Sequence, residues 1–225
     1  MNLIIKVPLT TLEPSKEFQR EIVQTIPKII RNYADKFKIA SSLSGVPTIL
    51  LYSVAMQESR GNHYYPSGKV IVTGAEKSTG MMQISANNFY EVYRKELKGG
   101  RVPTLTKLAV EKFLPKMNYS SQPATSQQKE LISKALTNID FNILASSLVI
   151  RYLLDKTIDS DGTARIDKVI LLYNAGEYHK ATKTSNYQIG DTTSLIKVVP
   201  EITQGYIRNI AGKNGIMYYI TANKL

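Results

Sequence analysis

Apolar side chains recur at three- and four-residue steps early in the chain, and this spacing constrains the fold more than any other feature of the sequence. The series is Phe18, Ile22, Ile26, Ile29, Ile30, Tyr33 and Phe37. Steps of three or four residues return to one face of an α-helix, so the pattern predicts an amphipathic helix beginning near Lys16. Pro27 lacks a backbone N–H, and we expect it to split or kink this helix.

The rest of the chain also carries helical patterns bounded by turn residues. The predicted helices are 47–58, 86–98, 106–116, 126–137, 142–156, 167–173 and 200–211. Residues 41–45 are predicted to form a polar loop, and a short hairpin is expected around Lys69–Val72. The predicted fold class is therefore mainly α, with at most a small β element.

Composition excludes several kinds of chemistry. The chain has no cysteine and two histidines among its 225 residues, which excludes disulfides and thiolate nucleophiles and argues against a dedicated zinc site. Its 29 Lys and Arg against 18 Asp and Glu give a net charge of +11, which suits polyanionic partners. No helix-turn-helix, zinc-finger or aromatic-rich basic pattern is present, so specific nucleic-acid binding is not predicted.

The N-terminal segment Met1–Lys6 lacks a basic region followed by a long apolar core. The sequence therefore predicts no signal peptide. It also predicts no transmembrane segment, because no apolar run is long enough to span a bilayer.

Glu58 is the first candidate for chemistry. It lies at the predicted C-terminal end of an apolar helix, where partial negative charge collects. Apolar neighbours and a negative helix end both disfavour a carboxylate, so such a glutamate can keep its proton and act as a general acid. The alternative is a solvated glutamate in a last helical turn.

Three further local patterns follow along the chain. They are Gly80-Met81-Met82-Gln83-Ile84, Tyr173-Asn174-Ala175-Gly176 and Glu201-Ile202-Thr203-Gln204-Gly205-Tyr206. Gln83 offers amide donors and an acceptor to a sugar, and a tyrosine ring packs on a sugar face. Each pattern alone also suits a structural role, as a buried turn, a glycine-capped helix end and an amphipathic helix.

Taken together and in this order, the patterns resemble the soluble lytic transglycosylase family of the lysozyme superfamily. Glu58-Ser59 resembles its catalytic Glu-Ser pair, and Gly80-Met81-Met82-Gln83 is similar to its Gly-Leu-Met-Gln motif, with methionine for leucine. The segment 173–176 matches its Tyr-Asn-Ala-Gly motif, residues 140–143 resemble its Asn-Ile helix, and 201–206 resembles its last motif. The resemblance covers roughly Pro47 to Ile210.

The resemblance implies a lysozyme-like fold with a small β-hairpin or loop insertion. It implies a catalytic domain at 45–225, preceded by an extension at 1–44 whose helices pack on the core. The implied reaction cleaves the bond between N-acetylmuramic acid and N-acetylglucosamine to a 1,6-anhydro product, without metal or cofactor. Glu58 would be the catalytic acid and base, and the implied substrate-binding or supporting residues are Ser59, Gln83, Tyr173, Asn174, Glu201 and Tyr206.

Two alternatives stay open at this point. A hydrolytic lysozyme of the same fold needs a second carboxylate, for which Glu76 and Glu177 are candidates. An inactive wall-binding virion protein is the other alternative.

The stretch between Glu58 and Gly80 departs from the family pattern. It is longer than in many members, carries His63-Tyr64-Tyr65 and Lys69, and resembles loops of phage-associated members. The expected partners are peptidoglycan strands, with other virion or wall-spanning proteins. The expected place of action is the periplasm or cell wall, after delivery by a virion or release at lysis.

Overall fold

The protein, described here from a computed structural model, is mainly helical with one small antiparallel sheet, which confirms the predicted fold class at this level. The structure describes residues 9–159, 162–177, 179–188 and 190–225, without the side chain of Asn186. The predictions about residues 1–6 and the first part of the 1–44 extension therefore lie outside the described residues. The chain forms two compact units: unit 1 comprises residues 1–30 and 153–225, and unit 2 comprises 31–152.

Unit 2 begins in the second half of helix α1 and includes most of helix α6. Its elements are α1 (Lys16–Ser44), α2 (Thr48–Ser59), β1 (Val72–Thr73), β2 (Ser78–Thr79), α3 (Ala86–Lys98), α4 (Thr104–Glu111), α5 (Ser126–Ala135) and α6 (Ile139–Asp155). Unit 1 holds the start of α1, the end of α6 and the elements that follow. These are α7 (Ile166–Ala175), a 3-10 turn (Lys180–Lys183), α8 (Ser185–Gln188), α9 (Thr192–Ile196), α10 (Glu201–Ala211) and α11 (Ile216–Ala222).

Helix α1 is longer and less interrupted than its sequence predicts. It is not split at Pro27, because Ile22, Ile26 and Ile29 on either side of the proline are fully buried in one stripe. Such packing outweighs a local helix-breaking preference. The expected loop at 41–45 is wrong as well, since α1 continues to Ser44, whose hydroxyl donates to the Ala40 carbonyl inside the helix.

Helix α2, which carries the candidate residue Glu58, is deeply buried along most of its length. All residues from Leu50 to Met56 are buried, and Tyr52 packs against Phe37 of α1 with ring centroids 4.7 Å apart. The helix ends as predicted, with Glu58 as its penultimate residue. Because the segment from Leu50 to Met56 is buried, it fixes the position of the helix C-terminus that carries Glu58.

The hairpin is present but lies a few residues beyond the predicted position. Val72 pairs with Thr79 and Thr73 with Ser78 in antiparallel register. An isolated antiparallel bridge between Tyr64 and Val70 extends the paired region towards α2. Helix α6 begins earlier than predicted, because the Asn138 side chain accepts from the amides of Asp140 and Phe141 and so starts the helix there.

Unit 1 is organised around helices α7, α10 and α11. Helix α7 packs on α10, and α10 packs on α11. The strand-like segment before α1 joins this group through a parallel bridge between Thr10 and Gly212. Helix α11, which the sequence patterns did not predict, buries Ile216, Met217 and Ile220. Within the described residues, no helix is long and apolar enough to cross a membrane.

Pro27 provides a test of the balance between packing and backbone preference in α1. We expect Pro27→Ala to raise the free energy of unfolding by about 1–2 kcal/mol, because alanine restores a helix N–H and removes a ring clash. Urea denaturation measures the change. The neighbouring Lys28 supplies the control, as Lys28→Ala should stay within about 0.5 kcal/mol of the parent. Loss of stability in Pro27→Ala would show that the ring itself packs favourably.

Candidate active site

Glu58 lies in the last turn of α2 and is half-buried. The helix ends immediately after it, because Arg60 adopts the left-handed conformation with φ of 56°. The Gly61 amide donates to the Ala55 carbonyl at 3.0 Å, and the Arg60 amide donates to Met56 at 3.0 Å, which closes the helix end. Gly61 is the stop that the sequence predicts, but the capping residue is Arg60. The arrangement fixes the carboxyl group at a helix C-terminus.

Ser59 joins the end of α2 to the Gly80 motif. Its hydroxyl donates to the Met81 carbonyl oxygen at 2.8 Å and also lies 3.2 Å from the Ala55 carbonyl oxygen. Two of the sequence motifs are therefore in direct contact within unit 2. The contact places the residue next to Glu58 against the turn that carries Gln83.

The segment from Gly80 to Gln83 is a tight, buried turn. Thr79 and Ile84 exchange backbone hydrogen bonds of 3.0 and 3.3 Å at its base, and Met81 and Met82 are fully buried. Both end residues are left-handed, with φ of 71° at Gly80 and 48° at Gln83. The buried backbone amides of Met81 and Met82 are not part of a regular helix or strand, so they need other hydrogen-bond acceptors.

Two buried side chains supply those partners. The Met81 amide donates to Nδ1 of His63 at 3.1 Å, and the Met82 amide donates to Oδ1 of Asn142 at 3.0 Å. Asn142, on α6, also donates from Nδ2 to the Thr79 carbonyl at 2.8 Å. With Ser59, these side chains hold the turn from three separate parts of unit 2.

Gly80 is required by the closeness of these two side chains. A Cβ at this position would lie 2.4 Å from Cε1 of His63 and 2.8 Å from Nδ2 of Asn142. No side chain fits there without displacing one of the groups that bind the turn. The glycine therefore serves packing and backbone conformation together.

His63 is 1% exposed, and its hydrogen bonds define its protonation state. Because Nδ1 accepts from Met81, the proton must lie on Nε2, which donates to the Thr137 carbonyl at 2.8 Å. Burial lowers the pKa of His63 below its ordinary value, and the bond to Thr137 opposes this in part. This role was not predicted from the sequence. The sequence carries no local signal for it, since His63 stands 17 residues before Gly80.

Gln83 is half-buried, and local contacts use part of its amide. Its Oε1 accepts from the Thr73 hydroxyl, and its Nε2 donates to the Gly80 carbonyl at 2.7 Å. A side-chain amide has two donor hydrogens and two acceptor lone pairs. One of each stays available to a ligand, and the amide plane is already fixed.

The remaining predicted site residues lie in unit 1. Tyr173 and Asn174 are half-buried at the end of α7, and Oδ1 of Asn174 accepts from the buried hydroxyl of Thr203 on α10 at 2.8 Å. Helix α10 also carries the exposed Glu201 in its first turn and the half-buried Tyr206. The structure thus groups Glu58, Ser59 and Gln83 in unit 2, and the other four in unit 1. Thr203 was missed, although it lies inside the last motif.

The two carboxylates considered for hydrolysis have unlike surroundings. Glu76 is exposed in the loop between β1 and β2. Glu177 forms an ion pair with Lys156 at 3.1 Å in unit 1. Among the described residues, no three potential His, Asp or Glu ligands cluster as a metal site would require.

Comparisons with family models, with curated proteins and with solved structures gave no match to this chain.

Gly80 can be tested against Gly74, which has nearly the same φ, 70°, but no neighbouring atom within 4 Å of the point that a Cβ would occupy. We expect Gly80→Ala to lower the free energy of unfolding by about 3 kcal/mol and Gly74→Ala by about 1 kcal/mol. Both variants incur the left-handed strain, and only the first displaces His63 and Asn142. Chemical denaturation measures both. Equal losses would mean that packing around Gly80 adds nothing to the strain.

The buried His63 predicts a pH dependence of stability. In the unfolded chain the imidazole titrates near pH 6.5, whereas in the fold its pKa is lowered by burial. At a pH between the lowered pKa of the folded state and the ordinary pKa of the unfolded chain, unfolding takes up a proton. The free energy of unfolding therefore falls as the pH drops below about 6.5. We expect this component to disappear in His63→Gln, which keeps an acceptor and a donor but does not titrate. Denaturation curves of both proteins from about pH 8 to about pH 5 measure the difference. Identical pH profiles would contradict the assignment of the neutral form.

Proposed function

We propose that this protein is a peptidoglycan lytic transglycosylase with a lysozyme-like fold. The observation that carries the proposal is the hydrogen bond between Ser59 and the Met81 carbonyl. It joins the Glu58-Ser59 pair to the turn of Gln83, which are the two motifs that the family resemblance assigns to acid catalysis and sugar contact. The mainly helical architecture with a small hairpin between these motifs also supports it.

The position of Glu58 suits a group that must give and take a proton. It lies at the C-terminal end of a buried helix, where the backbone carbonyls carry partial negative charge. It is half-buried. A general acid with these properties contributes a factor of about 10²–10⁴ in rate.

In the proposed reaction Glu58 acts twice. It first donates its proton to the glycosidic oxygen between N-acetylmuramic acid and N-acetylglucosamine, and the bond from that oxygen to the anomeric carbon breaks. It then accepts the proton of the muramoyl C6 hydroxyl as that oxygen bonds to the same carbon. The product is a 1,6-anhydro sugar, no water is consumed, and the enzyme returns to its starting state.

The other residues serve binding and orientation in this proposal. Gln83 contacts the N-acetyl sugar through the donor and acceptor that its local bonds leave available. Ser59 positions Glu58, and Tyr173, Asn174 and Tyr206 are proposed as substrate-binding or supporting residues. Glu201 is exposed in the first turn of α10, where its negative charge stabilises the helix N-terminus, and it takes no part in the reaction.

The proposed setting is the bacterial cell wall, which the protein reaches with a virion or on release at lysis. The net charge of +11 suits anionic wall surfaces. A hydrolytic reaction would require a second carboxylate facing Glu58. The single-glutamate reaction is the one that the family resemblance implies, and analysis of the products distinguishes it from hydrolysis.

The reaction can be tested by digesting purified peptidoglycan with the parent protein and with Glu58→Gln. We expect the parent to release muropeptides with anhydro ends, which are one water lighter than reducing ends by mass spectrometry. We expect Glu58→Gln to lose a factor of about 10² or more in rate, because the amide cannot donate the required proton. Glu76→Gln is the matched control and should retain activity.

Each alternative gives a different result in the same experiment. Reducing ends alone would identify a hydrolytic lysozyme. Undiminished digestion by Glu58→Gln would remove this residue from the chemistry. If the parent protein binds peptidoglycan but releases no product, the result would identify an inactive wall-binding protein.

A further inference from the structure

We propose that Tyr64 and Tyr65 form a saccharide-binding platform that extends the site around Gln83 along a glycan strand. The inference rests on the proposed function, because the occupant is the same glycan. It concerns the long loop between Glu58 and Gly80, whose exposed aromatic residues have no role in the site described so far.

The two tyrosine side chains are unusually exposed for aromatic residues, at 47% for Tyr64 and 44% for Tyr65. Exposed tyrosine rings present an apolar face with a hydrogen-bonding rim, which matches a pyranose ring with its axial C–H groups and equatorial hydroxyls. Val72, in the same loop, is also 45% exposed. The loop therefore presents three apolar side chains that the fold leaves partly uncovered.

The backbone under the two rings is fixed by hydrogen bonds. Tyr64 pairs with Val70 in an antiparallel bridge, and the Tyr65 amide donates to the Lys69 carbonyl at 2.8 Å. The Gly68 amide closes the turn by donating to the Tyr65 carbonyl at 2.9 Å. A platform held in this way loses little conformational entropy when a ligand binds.

A continuous set of contacts links this platform to the candidate active site. The Tyr64 ring lies edge-on to the His63 ring, with centroids 4.7 Å apart. His63 in turn binds the Met81 amide, and Thr73 at the end of the same loop donates to Gln83. The Tyr64 ring and the Gln83 amide thus belong to one hydrogen-bonded assembly within unit 2, and a glycan strand that reaches both is the proposed ligand.

The size of the exposed surface favours a sugar over a protein partner. A tyrosine buries about 150–250 Å² when fully covered, so two rings at slightly under half exposure offer roughly 200 Å². A stable protein interface needs about 800 Å² on each partner. The platform is too small for that and is adequate for one or two sugar rings.

The test uses Glu58→Gln as an inactive parent for binding to purified, insoluble peptidoglycan by co-sedimentation. We expect Tyr64→Ala and Tyr65→Ala in this background to weaken binding about fivefold each, the factor that corresponds to loss of one ring contact. Tyr64→Phe and Tyr65→Phe keep the rings and should bind nearly as the parent does. Tyr218, 38% exposed on α11, supplies the control, and Tyr218→Ala should leave binding unchanged.

Steady-state digestion provides a second readout with Glu58 present. Both alanine variants should raise KM about fivefold with little change in kcat, because the platform binds the strand away from the reacting bond. Unchanged affinity and KM in the alanine variants, or equal losses in the phenylalanine variants, would overturn the platform. If the parent binds the wall but releases no product, the proposed function fails, and the alanine variants still decide whether the platform binds the glycan.

Discussion

The backbone of the turn at residues 80–83 is buried, and the rest of the candidate site in unit 2 depends on how its polar groups are satisfied. An unpaired buried amide costs about 1–3 kcal/mol, so the amides of Met81 and Met82 need defined partners. His63 and Asn142 provide them, and Ser59 binds the Met81 carbonyl. Two distant parts of the sequence, residues 59–63 and Asn142, are thereby fixed around one short loop, and Glu58 is held beside it by its neighbour in sequence.

Local strain near this loop is consistent with a functional constraint. Arg60 and Gln83 are both left-handed without being glycine, a conformation that costs about 1 kcal/mol or more at each. The closed helix end after Ser59 holds the first, and the paired base of the turn holds the second. The left-handed backbone at Arg60 ends the helix that carries Glu58, and that at Gln83 sets the direction of its own side chain.

Sequence patterns predicted the parts of this arrangement that depend on local preferences. Helix α3 has its predicted bounds because the Ser85 side chain caps its start and Gly99 follows its end. The end of α2 beside Glu58 was also predicted. The continuity of α1 through Pro27 was not, since it depends on tertiary burial of the isoleucines around the proline. The role of His63 was missed because its partner lies 18 residues away and its fit depends on the missing Cβ of Gly80. Such contacts have no periodicity in the sequence.

Single-glutamate chemistry places a demand on the scaffold that a two-carboxylate mechanism does not. With one group acting as acid and then as base, the substrate must be held so that first the glycosidic oxygen and then the C6 hydroxyl meet the same carboxyl group. Precise orientation of the sugar therefore replaces the second carboxylate, and it must come from rigid contacts. A turn clamped by three side chains, with an amide plane fixed from both sides, can supply that orientation, whereas a mobile loop could not. The buried hydrogen bonds around Gly80 thus connect the stability of unit 2 with the chemistry proposed for Glu58.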